Sequence, residues 1–361
     1  MVCNDVILLN VDVSDKKLRF KNFVASSGFL LFFYFLYTSH PYFVRYFGNT
    51  HYFLFGFDVY VKSVFSFVTT VYFISLAWIF RNEELPKPSK ALIAFTTIQK
   101  LLFFQSISKT EKTALLAIVV KGFYIPLMLA WFIGHSAEVL RFLTNVYQHS
   151  DLIFSDFKKF YQTYLFWLFF KLILFFDVLF FMIGYLIELP ILKNAIKSVE
   201  PTFFGWAVTL ACYPPFNDVT GKFFTWQSSD LPLFDNTFFF YLASFAVLVC
   251  MGIYSWASWS LGFKASNLTH RGIVTTGAYA LCRHPAYFFK NLAWWIGGLP
   301  VILKSFDLSL SAGFYAVFCL SAWSYLYFLR AITEERHLMS VDDDYLNYAQ
   351  KVKFRFIPFV I

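Results

Sequence analysis

Runs of about 20 apolar residues recur along this chain, and they constrain its fold more than any other feature, because that many residues at helical rise cross the hydrocarbon of a bilayer. They fall at Phe23–Val44, Val59–Phe80, Thr113–Gly134, Tyr164–Ile187, Thr237–Leu261, Tyr287–Leu303 and Leu308–Leu329. A shorter run, Pro201–Tyr213, reads either as an oblique span lengthened by Ile191–Val199 or as a re-entrant segment stopped by Pro214-Pro215. Charged residues make up 14% of the 361 residues and hydrophobic ones 58%, which leaves too little polar surface for a water-soluble globule. The expected fold is all-α: a polytopic integral membrane protein. Its 51 Phe residues are read as nucleotide bias together with lipid exposure.

The formal charge of +8 is spread along the flanks of the apolar runs and forms no patch interleaved with aromatics, so nucleic acid is not an expected partner. Lys and Arg beside spans set topology against anionic headgroups. The most basic flanks are the N-terminal stretch (Lys16, Lys17, Arg19, Lys21), the loop Arg81–Lys112, the loop carrying Lys264, Arg271 and Arg283, and the C-terminal tail; all four are expected in the cytosol. Returning the loop at Lys264 to the side of the loop at Arg81 takes an even number of crossings. Three long runs lie between them, so the short segment around Trp206 is expected to make a fourth. The count becomes about eight transmembrane helices, both termini inside. Met1–Lys21 lacks the apolar core and cleavage site of a signal peptide, so the first span is expected to act as the targeting signal.

Several polar residues interrupt the apolar runs. Lys62, Lys121, Lys171 and Asp177 are expected to snorkel or to pair and orient helices, with an ion relay as the alternative. Ala91–Ser108, with Gln99, Lys100 and Gln105 interspersed, suits an interfacial amphipathic helix. The five cysteines (Cys3, Cys212, Cys250, Cys282, Cys319) are scattered and never spaced as a zinc pair, so no metal is expected and most read as small buried hydrophobes; Cys282, beside a His-Pro pair, reads foremost as another of these, with oxidation sensing as the alternative. No glycine-rich phosphate loop and no internal repeat stands out.

The chemistry concentrates near the end of the chain. Arg283-His284-Pro285-Ala286-Tyr287 is answered about two helix lengths later by Arg330 and the pair Glu334-Glu335. Ionisable groups this close to membrane spans are costly and mark a site by default. The apolar sequence between the clusters has the length of a transmembrane hairpin, which brings both to one face of the membrane.

These residues, with Leu268 to Tyr279 before them and Leu338, Asp344-Tyr345, Tyr348, Val352 and Ile357-Pro358 after, make the last 100 residues or so resemble the isoprenylcysteine carboxyl methyltransferase and phospholipid methyltransferase superfamily. The resemblance implies residues 237–361 as a helical-hairpin methyltransferase core and 1–236 as a multi-span region of unassigned role. It implies S-adenosylmethionine as cofactor, held by Gly272, Ile273, Val274, Tyr279, Arg283, His284, Pro285, Ala286, Tyr287, Glu334 and Glu335. Arg330, four residues before Glu334 and so on the same helix face, matches the family's substrate-side arginine. The implied acceptor is lipophilic, either the carboxylate of a prenylcysteine-like molecule or a lipid headgroup, entering laterally from the membrane lipids. Ser198-Val199-Glu200-Pro201-Thr202 and Cys212-Tyr213-Pro214-Pro215-Phe216 look similar to larger bacterial relatives, which implies a bacterial inner membrane; the basic loop at Lys264, Arg271 and Arg283 puts the expected cofactor site on its cytosolic side.

The residue chemistry agrees with that resemblance on its own terms. A sulfonium cofactor with amino-acid and adenosine ends needs donors for a carboxylate, acceptors for an ammonium or ribose, and aromatic faces. Arg283 and His284 donate, Glu334 and Glu335 accept, and Tyr279 and Tyr287 offer rings. Pro285 suits the first position of a helix, where free amides favour anions. Arg271 stands where eukaryotic prenylcysteine enzymes tend to have His, and Lys264 where they present Gln. Asp342-Asp343-Asp344 reads as a solvated turn capping the helix at Tyr345, with Tyr345 and Tyr348 packing the tail over the cofactor. Two alternatives remain beside the methyltransferase: an NADPH-dependent sterol-reductase-like enzyme, from whose pattern Glu334-Glu335-Arg336-His337-Leu338 departs, and a transporter or structural membrane protein.

Overall fold

A computed structural model describes residues 2–44, 50–54, 56–83, 86–357 and 360; Pro358 of the C-terminal motif lies outside them. The chain forms two compact units, Met1–Gly134 and His135–Ile361. The boundary read between residues 236 and 237 falls inside the second.

In the first unit, α1 (Val2–Ser39) is followed by the short turn α2 (Pro41–Phe43), an antiparallel hairpin of β1 (His51–Leu54) and β2 (Phe57–Tyr60) with His51 opposite Tyr60, α3 (Val61–Arg81) and α4 (Lys90–Leu102). The first part of α5 (Lys109–Gln148) completes it. The fully buried Asn22 of α1 holds the segment before α4: its amide donates to the Lys87 carbonyl at 2.7 Å, and its oxygen accepts from the Ser89 amide at 2.9 Å. Ser89 in turn caps α4 through the Leu92 amide. Helix α4 buries Ala91, Ala94 and Thr97 at a helical period and ends at Leu102, shorter than the stretch to Ser108 that composition suggested.

The second unit carries the short turns α6 (Leu152–Ser155) and α7 (Phe157–Phe160), then α8 (Phe166–Leu186), β3 (Ser198–Val199), α9 (Phe203–Leu210), α10 (Phe216–Phe223), α11 (Thr237–Leu261) and β4 (Thr269–His270). It ends in α12 (Pro285–Leu308), α13 (Leu310–Val341) and α14 (Asp343–Lys351). Asn236 starts α11 by accepting from the Phe238 and Phe239 amides, and Ser309 starts α13 by accepting from the Ala312 amide at 3.1 Å. Helix α11 packs on α8 and α12 around Phe166, Phe170, Phe240, Val247 and Met251. A glycine permits one close approach here: a Cβ at Gly297 of α12 would lie 2.0 Å from the Ser229 carbonyl oxygen, so the segment before α11 rests directly on the helix backbone.

Six helical stretches are long and apolar enough to cross a membrane: Asp15–Ser39, Val61–Arg81, Lys109–Gln148, Phe157–Leu186, Thr237–Lys264 and Leu310–Val341. These support a polytopic membrane protein, with fewer spans than the eight expected. Helix α12, 24 residues long, has the length of a span, but Lys290, Lys304 and Asp307 lower its hydropathy. The ambiguous run Pro201–Tyr213 yields α9, only eight residues long and hence about 12 Å, too short for about 30 Å of hydrocarbon. It ends at Leu210, capped at Ala211, with Pro214-Pro215 following in the turn beyond. The fourth crossing that the charge argument required between Arg81 and Lys264 is therefore missing among the described residues. Lys171 and Asp177 do not pair with each other: Lys171 reaches Glu138 at 3.6 Å, and Asp177 accepts from the Tyr254 and Ser258 hydroxyls of α11.

Candidate functional site

Helices α12 and α13 are separated by Ser309 alone, so the start of the first returns to the end of the second. Pro285 occupies the first turn of α12, where its missing amide costs nothing. One helix length away, the two polar clusters meet. Tyr287 Oη donates to Glu334 Oε2 at 2.9 Å, and His284 Nε2 lies 3.1 Å from Glu335 Oε1.

The neighbouring glutamates have different surroundings. Glu335 is 2% exposed, and both its oxygens are taken: Oε1 by His284 and by Arg283 Nε at 3.2 Å, Oε2 by Arg355 Nη2 at 2.8 Å and Nε at 3.0 Å. The tail carrying Arg355 is held further by the Arg283 amide, which donates to the Phe354 carbonyl, and the His284 amide, which donates to the Arg355 carbonyl, both at 2.9 Å. Glu335 is thus a buried latch between tail and motif, and it lines none of the cavities described below. Pro285 is likewise buried against the protein.

Glu334 faces open space. It borders a cleft of about 580 Å³ together with Gly272, Ile273, Val274, Tyr279, Arg283 and His284. Glycine is needed at one point of its wall and at one point just before Tyr279. Gly272 has φ +104°, and Gly277 has φ +64° with its missing Cβ only 2.2 Å from Ser260 Oγ, which accepts from the Ala278 amide. Strand β4 is anchored by β3, with Ser198 opposite His270 and Val199 opposite Thr269. Tyr345 and Tyr348 of α14 close another side, and Tyr348 Oη donates to the Tyr279 carbonyl at 2.8 Å. Burial raises the pKa of both hydroxyls, so they remain protonated donors; Tyr345 Oη has no hydrogen-bond partner. Asp342 caps α14 through the Asp344 amide, but it is not simply solvated: its Oδ2 lies 2.7 Å from His270 Nε2.

A second chamber of about 590 Å³ shares Leu261, Ser266, Tyr279, His284 and Glu334 with this cleft, and Ala286 and Tyr287 line it. Arg330 projects into it. The guanidinium is 3% exposed, donates to Asn267 Oδ1 at 3.0 Å and lies over the rings of Tyr213, Tyr287 and Tyr327 at 5.5, 5.0 and 4.8 Å. Its Nε has no hydrogen-bond partner. A smaller cavity of about 390 Å³, bordered by Glu200, Thr209 and His337, adjoins Arg330 and Glu334 from the other side. Arg330 and Glu334, one helical turn apart, therefore stand where the spaces meet, and only Glu334 reaches the cleft at Gly272.

Residues 232–352 match the model of a family described as a protein of unknown function, DUF1295. No curated protein matches the chain, and no solved structure does. The matched stretch holds the cleft at Gly272 and most of the chamber. Glu200, Thr209 and Tyr213, which complete the walls around Arg330, lie before it, on the segment that pairs with β4 and ends at Pro214-Pro215. The two upstream motifs thus belong to the same site.

Several of these residues escaped the sequence reading. Lys290 is three residues past Tyr287 on α12, and Tyr327 three before Arg330 on α13; helical spacing from a known member would have found both. Tyr254 and Asn267 reach the chamber from other elements, and no local spacing signals them; Tyr213 stood in the Cys212 to Phe216 motif without a role. Cys282 is fully buried and its thiol is pushed up to about 11 by burial, which leaves it a small hydrophobe and no redox sensor. Among the described residues no group of three His, Cys, Asp or Glu side chains is placed to hold a metal.

Proposed function

We propose that this protein is an integral membrane methyltransferase that uses S-adenosylmethionine and acts on a lipophilic acceptor, with its cofactor cleft on the cytosolic side. The reading rests on one observation: Gly272 to Val274, Tyr279, Arg283, His284 and Glu334, which the family resemblance assigns to the cofactor, surround a single cleft that opens at Glu334 into a chamber holding Arg330.

The residues present fit the group. Tyr345 Oη is a buried donor without a hydrogen-bond partner, suited to a carboxylate or a ribose oxygen. Glu334 spends one oxygen on Tyr287 and has the other to accept from an ammonium or a hydroxyl. Tyr279 and Tyr348 supply ring surface. When bound, the cofactor supplies an electrophilic methyl group.

The protein's part is alignment and exclusion of water. Glu335 fixes Arg283 and His284 and ties the tail at Arg355 to them. Arg330, held by Asn267 and three rings, presents its free Nε to the acceptor without having to reorganise. Tyr287 links the two spaces, since its hydroxyl binds Glu334 while its ring faces Arg330.

A second reading draws on a specific feature. Lys264 and Lys197 stand 3.3 and 3.7 Å from where a Cβ of Gly272 would be, and such a cationic rim suits the phosphates of NADPH in a reductase. Calorimetry on the purified full-length protein decides between them. S-adenosylmethionine should bind and NADPH should not; Glu334→Gln should weaken the cofactor at least about tenfold and Arg330→Lys less than about threefold. Binding of NADPH alone, or equal losses in both variants, would refute the assignment.

A further inference from the structure

Lys290 enters the chamber from the second turn of α12, on the same wall as Tyr287. Its ammonium lies 5.0, 5.5 and 5.7 Å from the ring centroids of Tyr254, Trp294 and Tyr327, and Tyr327 is the ring over which Arg330 lies at 4.8 Å. Two cations therefore share one ring and one cavity. Among the described residues no carboxylate comes within 4.0 Å of either of them. Asp177 and Asp230 lie close enough to feel the charge of Lys290, and Glu334 is one turn from Arg330, but Asp177 accepts from Tyr254 and Ser258, and Glu334 from Tyr287.

We propose that Lys290 is the acceptor-selecting residue of this chamber, forming with Arg330 a two-cation clamp that admits a lipophilic molecule with an anionic reacting end and rejects one with an ammonium end. The word "reacting" rests on the methyltransferase reading; the clamp as an anion site does not.

Three observations carry it. Aromatic faces hold a cation in place but leave its charge unneutralised, and the chamber lining sets two cations, Lys290 and Arg330, against the one carboxylate of Glu334, which is an excess of positive charge in a region of low dielectric. Like charges kept together there are costly until an anion joins them, and Arg330 Nε, 97% buried with its residue, has no partner within the protein. Phe181 and Leu261 add an apolar wall to the same chamber, which suits the hydrocarbon part of the molecule. Proton balance points the same way. An anionic oxygen already carries the lone pair a methyl transfer consumes, so no proton has to leave, whereas an ammonium must first lose one, and Asp177 already has both oxygens engaged.

A carboxylate and a phosphate meet these requirements equally, and the test separates them. Full-length protein in phosphatidylcholine nanodiscs is titrated with dodecanoate, dodecyl phosphate and dodecylamine, with tryptophan fluorescence as the readout, since Trp294 borders Lys290. The better anion should bind at least about tenfold more tightly than dodecylamine, and its identity names the source. Lys290→Met should lose about tenfold of that affinity, Lys290→Arg should keep it within about twofold and so exclude misfolding, and Lys290→Glu should reverse the preference. The clamp is overturned if dodecylamine binds within about threefold of the better anion, or if Lys290→Met loses less than about twofold, as expected of a lysine that only balances Asp177. Calorimetry with S-adenosylmethionine on the same samples keeps the two readings apart: no cofactor binding with the clamp intact refutes the methyltransferase, and cofactor binding without any Lys290 effect refutes the clamp alone.

Discussion

Glu335→Gln should unlatch the C-terminal tail. The substitution keeps the shape of the side chain and removes the one negative charge that Arg283, His284 and Arg355 share. Breaking a buried ion pair by removing one partner costs about 3–5 kcal/mol, chiefly because the other charge is left buried and unpaired. Arg283, with its side chain 11% exposed, falls under that rule. Arg355, at 34%, is screened by solvent and adds less than about 1 kcal/mol. The new amide still accepts one hydrogen bond, so about 3 kcal/mol is the expected loss, or roughly a hundredfold in the closing equilibrium. The backbone offers a direct reporter, because the Arg283 and His284 amides donate to the carbonyls of Phe354 and Arg355 and are exposed when the tail lifts. Hydrogen exchange followed by mass spectrometry should show the peptide around Arg283 exchanging about a hundredfold faster, with α8 and α11 unchanged. Arg355→Ala should accelerate it less than about tenfold. A change below about threefold in Glu335→Gln, or an equal effect from Arg355→Ala, would show that Glu335 is not the latch.

Gly277→Ala places a Cβ 2.2 Å from Ser260 Oγ at a φ of +64°, and should cost about 2–3 kcal/mol, read as a lower melting temperature in detergent; adding Ser260→Ala should recover only part, because the backbone strain stays. An unchanged melting temperature would contradict the geometry at Gly277. At Cys282, pushed up to about 11, roughly one thiol in a thousand is ionised at pH 8, so maleimide should leave it unlabelled in the folded protein and label it after denaturation. Rapid labelling in the folded state would mean that the motif is open to solvent.

Long helices were legible because each is written locally, as an unbroken apolar run with a capping residue such as Asn236 or Ser309 before it. The run Thr237–Leu261 was placed to the residue. Spans ending in polar sequence were not: α13 continues twelve residues past the apolar limit at Leu329, since Arg330 to Val341 are helical for the sake of the site and carry no hydropathy signal. The expected fourth crossing rested on weaker ground. The parity argument treated every basic flank as a cytosolic loop, yet Lys264 and Arg271 border the cleft, and Arg271 is 3% exposed and donates to the Asn194 carbonyl at 2.8 Å. Charge that serves a site tells nothing about the membrane side. The pairing of β3 with β4, which brings Glu200 close to the line from Arg330 to His337, joins residues 198–199 to residues 269–270, and no pattern within either segment announces it.

The adjacent glutamates show why a motif underdetermines a site. An α-helix turns about 100° per residue, so Glu334 and Glu335 cannot face the same space. Sequence alone reads them as a pair of acceptors for one cofactor, whereas the structure directs Glu334 into the cleft and Glu335 into the packing between α12, α13 and the tail. The split has a functional consequence. Any substitution of Glu335 frees Arg283 and His284 as well as the tail, so it would disturb the cleft, the chamber and the tail together, although the side chain touches none of the open space. A change at Glu334 acts on one oxygen at the junction and leaves the latch closed. Loss of activity at both positions is therefore no sign of a shared role; the exchange rate at the Arg283 amide, which only the latch controls, tells the two apart.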